Sequence, residues 1–167
     1  MEVRKITRED LALRVEWMND ASVFPNMGYT PPIELERTYS WFEAIKNDAS
    51  RFDAAFVDDE GRVVGFGGLT HIDALTRKAE FYLFIGPDFH RRGFGTKAAA
   101  ALCRYGFEEL NLHKVFLYAN ASNTGARHTY EKIGFKMEGV LREEKLINGR
   151  FEDRLYYGIF AHELLNF

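Results

Sequence analysis

The chain contains 167 residues, of which 46% are hydrophobic and 15% aromatic, and its formal net charge is −3. A chain of this length can bury roughly two thirds of the surface that its unfolded form exposes, so we expect one domain, residues 1–167, without a stabilising metal or disulfide. Its single cysteine, Cys103, cannot form a disulfide within the chain. The weakly acidic balance argues against a general nucleic-acid binder, whose surface is usually strongly basic.

The N-terminal segment gives no sign of export. Residues 1–10 alternate charged with apolar side chains and lack the apolar core of a signal peptide. No segment approaches the ~18 uninterrupted apolar residues of a membrane span. We therefore expect a cytoplasmic protein with no membrane partner. The five histidines show no metal-ligand spacing, so no metal site is predicted.

The first half of the chain predicts two helices followed by three strands. The helices are expected to begin near Thr7 and near Pro31, where a capping sequence and a proline pair precede apolar residues at helical period. The strands are predicted over residues 52–57, 63–69 and 80–85. The third strand is almost wholly apolar after Glu80, which indicates a central position with both faces covered.

The second half predicts a long alanine-rich helix, a strand, a short helix and a final hairpin. Their expected bounds are residues 93–110, 114–119, 126–133, and 140–147 paired with 151–160. Asn148-Gly149 is the strongest short hairpin signal in the chain. The fold class predicted from these elements is mixed α/β (α+β) with antiparallel hairpins.

The segment that carries chemistry is a strand, a basic glycine-bearing turn and a helix start over residues 80–97. The free N–H groups of a first helical turn favour an anion, and Gly93 and Gly95 let the backbone approach a pyrophosphate closely. Arg91, Arg92 and Lys97 add positive charge. The string is not a P-loop, because no Gly-Lys-Ser/Thr follows at the required spacing. It can be written as a dinucleotide fingerprint, but the acidic residue expected after the next strand is missing.

A second motif follows the next strand, over residues 123–135, and reads Asn-Thr-Gly-Ala-Arg-His-Thr-Tyr-Glu-Lys-Ile-Gly-Phe. Together with His-Arg-Arg-Gly-Phe-Gly over residues 90–95, it resembles the two cofactor motifs of the GNAT superfamily of acyl-CoA-dependent N-acetyltransferases. The resemblance covers roughly residues 50–160. Segments 105–114 and 138–150 look most like the branch that contains ribosomal-protein N-terminal and spermidine acetyltransferases.

The resemblance implies a central, mixed, mostly antiparallel sheet with helices on both faces and splayed central strands. It also implies acetyl-CoA as the acetyl donor, with its pyrophosphate on the amides of residues 91–96 and its pantetheine arm beside residues 83–85. Asn123 would hydrogen-bond that arm. The family usually begins the turn with Gln or Arg, whereas this chain has His90. The cofactor contacts implied in this way are Leu83, Phe84, Ile85, His90, Arg91, Arg92, Gly93, Phe94, Gly95, Thr96, Asn123, Ala126 and Lys132.

Acetyl transfer to an amine also needs a proton acceptor, because an alkyl ammonium with a pKa near ~10 is only about one part in a thousand neutral at pH 7. Glu80, the acidic residue that opens the central strand, is the candidate, acting directly or through water. Its alternative role is an ordinary ion pair with Arg77 or Lys78.

The departing thiolate needs a proton donor, and Tyr130 matches the family's general-acid position. A phenol with a pKa near ~10 stays protonated where a thiol with a pKa near ~8.5 ionises. The alternative role of Tyr130 is aromatic packing of a short helix. The oxyanion is expected to contact a main-chain N–H near Phe84 or Ile85. Cys103, inside the alanine-rich helix, is expected to be a buried core residue, so transfer would be direct.

The acceptor is expected to be a small-molecule or peptide amine, with a polyamine such as spermidine or a protein N-terminal amine favoured. An amino sugar, or a non-catalytic CoA-binding regulatory module, are the alternatives, and assembly into a dimer is left open. Aromatic candidates for an acceptor pocket include Trp17, Tyr29 and Trp41, although helical spacing favours the core for Trp41. Carboxylates that would suit a polyamine are Glu34, Glu36, Asp53, Glu143 and Glu144.

Overall fold

The computed structural model of the chain describes residues 1–166, so only Phe167 of the predicted domain lies outside the described residues. Four α-helices and seven strands are present in that part of the chain. In chain order they are β1 (Glu2–Lys5), α1 (Leu11–Met18), α2 (Leu35–Ile45), β2 (Phe52–Val57), β3 (Val63–Asp73), β4 (Lys78–Ile85), α3 (Phe94–Glu108), β5 (Lys114–Asn120), α4 (Thr124–Ile133), β6 (Lys136–Ile147) and β7 (Arg150–Phe160).

The strands form one sheet in the order β1-β2-β3-β4-β5-β7-β6. Every neighbouring pair is antiparallel except β4 and β5, which are parallel. The predicted mixed, mostly antiparallel sheet is therefore confirmed. Strand β1 was not predicted, because four residues at a sheet edge are too few to show a clear alternation.

The two central strands separate along their length. Their pairing joins Lys78–Glu80 only to Lys114–Phe116, although β4 continues to Ile85 and β5 to Asn120. A gap therefore opens in the middle of the sheet after Glu80. This is the splay that the resemblance implied, and it is confirmed.

Helices cover both faces of the sheet, as predicted. Helix α3 buries Leu102 and Cys103 against one face, in a core that also holds Phe81 and Tyr157. Helices α1 and α2 cover the other face over β2, β3 and β4, and Trp17 of α1 packs in a second core there. Because side chains alternate along a strand, neighbouring residues of β4 contribute to different cores.

The ends of several elements differ from the prediction. Helix α2 begins at Leu35 rather than near Pro31, because Glu34 has an extended backbone with a ψ of 137° and serves as the N-cap. Helix α4 begins at Thr124 because the Asn123 side chain caps it. The helix expected from Thr7 starts as a single 3-10 turn, in which Asp10 completes a capping box.

The local signals at two other positions are confirmed. Asn148 and Gly149 have φ values of 49° and 75°, as the tight turn between β6 and β7 requires. Gly134 ends α4 with a φ of 114°. No helix within residues 1–166 is long and apolar enough to cross a membrane.

Candidate active site

The turn after β4 presents backbone amides to one place. Arg91 and Gly93 adopt left-handed conformations with φ values of 57° and 80°, and α3 begins directly afterwards. Lys97 donates the first hydrogen bond of the helix to the Gly93 carbonyl, at 3.3 Å. The amides of residues 94–96 therefore lack an intrahelical acceptor and are available to an anion.

The side chains of this turn divide between structural contacts and exposed charge. His90 Nε2 lies 2.8 Å from the carbonyl oxygen of Ile85, so the ring donates to the strand end and closes the turn. The Arg92 guanidinium lies over the Phe94 ring at 5.4 Å and remains exposed, as does Arg91. The turn therefore combines oriented amides with two exposed positive charges.

Along β4, the peptide groups of alternate residues point toward β3 on one side and toward β5 or the gap on the other. The Arg77 carbonyl accepts from the His113 N–H at 2.6 Å, so Arg77 faces β5, and so does every second residue after it. The peptide groups of Leu83 and Ile85 therefore face the gap, where an extended amide chain can pair with them. The Phe84 carbonyl points at Gly65 of β3, so the Phe84 amide also faces β3 and is unsuited to hold an oxyanion in the gap.

Tyr130 lies beside the gap, on the α4 side of the sheet. Its ring packs edge-on against Phe81 and beside Phe135, each at 5.8 Å between centroids. Phe81 is the first residue of β4 beyond the paired segment. Burial raises the pKa of Tyr130 to about 12, with a smaller contribution from the neighbouring Cys103. The aromatic packing that we considered as an alternative is present, and it fixes the Tyr130 ring beside the start of the gap.

Cys103 is fully buried in the core, as predicted. Burial raises the pKa of its thiol well above the ordinary value, so the thiolate form is disfavoured at neutral pH. Within residues 1–166, no three His, Cys, Asp or Glu side chains are arranged so that they could hold a metal ion.

Glu80 lies on the opposite face of β4 from Phe81, at the start of the gap. Its carboxylate contacts Nδ1 of His71 at 3.2 Å, and its side chain is 28% exposed. The alternative ion pair of Glu80 with Arg77 or Lys78 does not occur among the described contacts, and Arg77 donates to the side chain of Asn111. His71 was not a candidate in the sequence, since only the irregular pairing of β3 with β4 brings it next to Glu80.

The second motif, residues 123–135, contains the N-cap of helix α4. The Asn123 side-chain oxygen accepts from the Ala126 N–H at 3.2 Å, so that amide is already paired. The Asn123 side-chain NH₂ is the group that remains to donate to a ligand. Lys132 lies exposed on the last turn of α4.

A pocket of about 270 Å³ lies between the two N-terminal helices and the sheet. It is lined by Arg14, Met18, Ile33, Arg37, Thr38, Trp41, Arg51 and Tyr82. Trp41 is partly buried, packs against the second core and also lines the pocket, whereas Trp17 is buried against Phe66.

The carboxylates proposed to bind a polyamine differ in whether they are already paired or buried. Asp53 is buried and is held by Arg51 at 2.7 and 2.9 Å and by the Tyr82 hydroxyl at 2.5 Å. Glu34 pairs with Arg37 at 3.0 Å. Glu143 and Glu144 line an open depression on the β6–β7 hairpin, and Glu36 is exposed on α2.

A splayed sheet with an amide-lined turn at the gap defines a protein that binds an extended cofactor with a pyrophosphate. Residues 1–136 match the acetyltransferase (GNAT) domain family, and the chain belongs to that family. It is an N-acetyltransferase that uses acetyl-CoA, as the resemblance implied.

Two curated relatives are spermidine N(1)-acetyltransferases. The Escherichia coli K12 protein is 33% identical over 99% of this chain and 88% of its own length. The Vibrio cholerae protein is 38% identical over 80% of this chain and 75% of its own length. A crystal structure of spermidine N-acetyltransferase from Vibrio cholerae in complex with CoA and spermine superimposes with a TM-score of 0.93. It is 28% identical and covers 99% of this chain and 98% of that one.

Proposed function

We propose that this enzyme acetylates a primary amine of a polyamine such as spermidine, and that transfer is direct within a complex of both substrates. The observation that carries the proposal is the 33% identity with a spermidine N(1)-acetyltransferase along 99% of the chain. The neighbouring crystal structure with CoA and spermine adds support, because the two folds correspond over 99% of this chain.

In this proposal the cofactor is bound mainly by backbone groups. The amides of residues 91–96 hold the pyrophosphate, and Arg91 and Arg92 supply positive charge beside it. The peptide group of Leu83 pairs with the pantetheine arm in the gap, and the Asn123 NH₂ donates to the same arm. The thioester then lies between Glu80 and Tyr130, which approach the gap from opposite faces of the sheet.

Glu80 removes the proton that the attacking amine must lose. Its partly exposed carboxylate stands at the point where β4 and β5 separate, so a water molecule can connect it with the amine. The exposed His71 next to Glu80 offers the proton a route to solvent.

Tyr130 protonates the departing sulfur. A hydroxyl with a pKa of about 12 stays protonated at neutral pH, whereas a thiol with a pKa near ~8.5 leaves readily as the thiolate. The hydroxyl can therefore donate a hydrogen bond to the sulfur as negative charge develops there, until it transfers its proton. The amide of Leu83 or Ile85 faces the gap and is the oxyanion donor that this geometry supports.

The proposal is tested with a panel of acceptors, measured by CoA release under steady-state conditions. Spermidine and spermine are expected to give the highest kcat/KM, with amino sugars near background. The proposed acceptor would be wrong if spermidine stayed at the rate of hydrolysis while another amine was acetylated efficiently.

A protein N-terminal amine is the second candidate. A putative ribosomal N-acetyltransferase of Bacillus subtilis is 34% identical over 70% of this chain and 63% of its own length. Peptides with the N-terminal sequences of ribosomal proteins therefore belong in the same panel. A higher kcat/KM for such a peptide than for spermidine would favour this candidate.

A further inference from the structure

The pocket beneath α2 contains a buried arginine. Arg14 of α1 is only 8% exposed, and its guanidinium lines the pocket with Trp41 and Tyr82. The guanidinium lies 4.8 Å from the centre of the Trp41 ring and 5.9 Å from that of Phe84. These rings stabilise the positive charge only in part, because a cation–π contact does not supply a hydrogen-bond acceptor to each N–H.

Among residues 1–166 no carboxylate forms a direct ion pair with Arg14, whereas the partly buried Arg4 and Arg51 each pair with an aspartate. The Arg14 guanidinium interacts instead with the hydroxyl group of Tyr82, which itself donates to Asp53. The Arg14 Nε is buried without a hydrogen-bond partner, and one Nη contacts the Met18 sulfur at 2.9 Å. A buried charge without an anion is costly in free energy, so such groups are normally paired.

The other two arginines of the pocket are each paired with a carboxylate, so Arg14 carries the uncompensated positive charge. Arg51 commits Nε and one Nη to Asp53, and Arg37 stands at the exposed rim beside Glu34. Three arginines and no carboxylate line the pocket itself. The charge of Arg14 therefore favours an anion at this position in the pocket.

The pocket is close to the proposed site of reaction. Tyr82, on its floor, lies two residues after Glu80 on the same face of β4, which corresponds to about 7 Å along a strand. A molecule whose amine lies at Glu80 can therefore extend its other end toward Arg14. The pocket volume of about 270 Å³ is enough for a carboxylate and a short chain.

We propose that this pocket binds the carboxylate of a second class of acceptor, an amine that carries a carboxylate at the far end of a short chain. The guanidinium of Arg14 offers two parallel N–H groups, the geometry that a carboxylate accepts best. This inference rests on the proposed transfer at Glu80. The N–C bond to the acetyl group forms and the C–S bond breaks, while the amine proton passes to Glu80 and Tyr130 gives its proton to the sulfur. Glu80 then releases its proton to solvent and Tyr130 regains one from solvent before the next turnover.

The test compares two acceptors that differ only at the far end, ε-aminocaproate and its amide. For the native enzyme we expect kcat/KM to be at least about tenfold higher for the carboxylate. In Arg14→Met the ratio should fall to near one, and in Arg14→Lys it should be intermediate, because the charge remains but the planar fork is lost. Arg8→Met is the matched control, since Arg8 lies over Tyr39 outside the pocket and should leave the ratio unchanged.

A variant that is partly unfolded loses activity toward both acceptors equally, so the ratio of the two kcat/KM values does not change. A changed ratio therefore reports on the pocket and not on folding. Equal turnover of the two acceptors by the native enzyme, or an unchanged ratio in Arg14→Met, would show that Arg14 is structural and would overturn the inference. Spermidine is assayed in parallel to test the proposed function separately. If no amine is acetylated, the binding of ε-aminocaproate and of its amide is measured by calorimetry in the presence of CoA. Tighter binding of the carboxylate that is lost in Arg14→Met supports the proposed pocket, and equal binding of the two compounds refutes it.

Discussion

Tyr130 shows how one side chain serves both packing and chemistry. Its ring contacts Phe81 and Phe135, which fixes its position, and the same burial raises the pKa of its hydroxyl to about 12. A solvent-exposed tyrosine would lack both properties. The two interpretations of Tyr130 in the sequence are therefore compatible, and the proposed acid role depends on the packing.

Replacing Tyr130 with Phe should lower kcat by about 10²- to 10⁴-fold while the KM for acetyl-CoA changes little, because only the proton donor is removed. Since the pKa is raised to about 12, the hydroxyl is protonated at every pH below that value. The fold-loss should therefore be constant between about pH 6 and 9. Steady-state rates of Tyr130→Phe and the native enzyme across this range provide the measurement.

Tyr105→Phe is the control, because Tyr105 stacks on Phe52 at 4.3 Å in the α3 core, away from the gap. It should retain most of the turnover. Unchanged turnover in Tyr130→Phe, on an acceptor proven with the native enzyme, would remove Tyr130 from the mechanism.

At the scale of elements, the cofactor turn depends on a left-handed residue before α3. Gly93 has a φ of 80° and open space around the position of a Cβ atom, so backbone strain rather than a clash would oppose a side chain. This strain would act on the amides that begin the helix. Stability and cofactor binding are therefore coupled at this position.

We expect Gly93→Ala to lower the free energy of unfolding by about 1–2 kcal/mol and to raise the KM for acetyl-CoA. Urea unfolding and steady-state kinetics measure the two effects. Gly125→Ala is the matched control, because Gly125 lies in the first turn of α4, has a similarly open environment and no positive φ. It should leave stability unchanged or raise it by up to about 1 kcal/mol. Equal losses of stability from the two substitutions would contradict the role of the left-handed turn.

At the scale of the whole molecule, the two halves of the sheet meet at β4 and β5. Only three residue pairs join these strands, and the gap opens beyond them. A ligand that spans this gap contacts both halves and the start of α3. Such a ligand should therefore stabilise the molecule as a unit, since it binds only the folded chain.

Acetyl-CoA at about 100 times its Kd should raise the melting temperature by about 5–10 °C. NAD and ATP, which share phosphates but not the pantetheine arm, should raise it much less. Differential scanning calorimetry at matched ligand concentrations makes the comparison. Stabilisation by NAD alone would contradict the proposed mode of cofactor binding.

The sequence alone determined the features that depend on nearby residues. The Asn148-Gly149 turn, the end of α4 at Gly134 and the glycine-bearing turn before α3 are set by backbone conformations and hydrogen bonds within a few residues. The order of the two motifs then indicated the family and, through it, the splayed sheet and acetyl-CoA.

Only the tertiary structure decided which distant side chains meet. Glu80 contacts His71 because β3 pairs irregularly with β4, and Asp53 is taken by Arg51 and Tyr82 across neighbouring strands. The unpaired charge of Arg14 is equally invisible in the sequence, since it depends on which carboxylates are absent around it. Ion pairing and burial depend on where the folded chain places each group, so the sequence predicted the cofactor turn far better than the acceptor side.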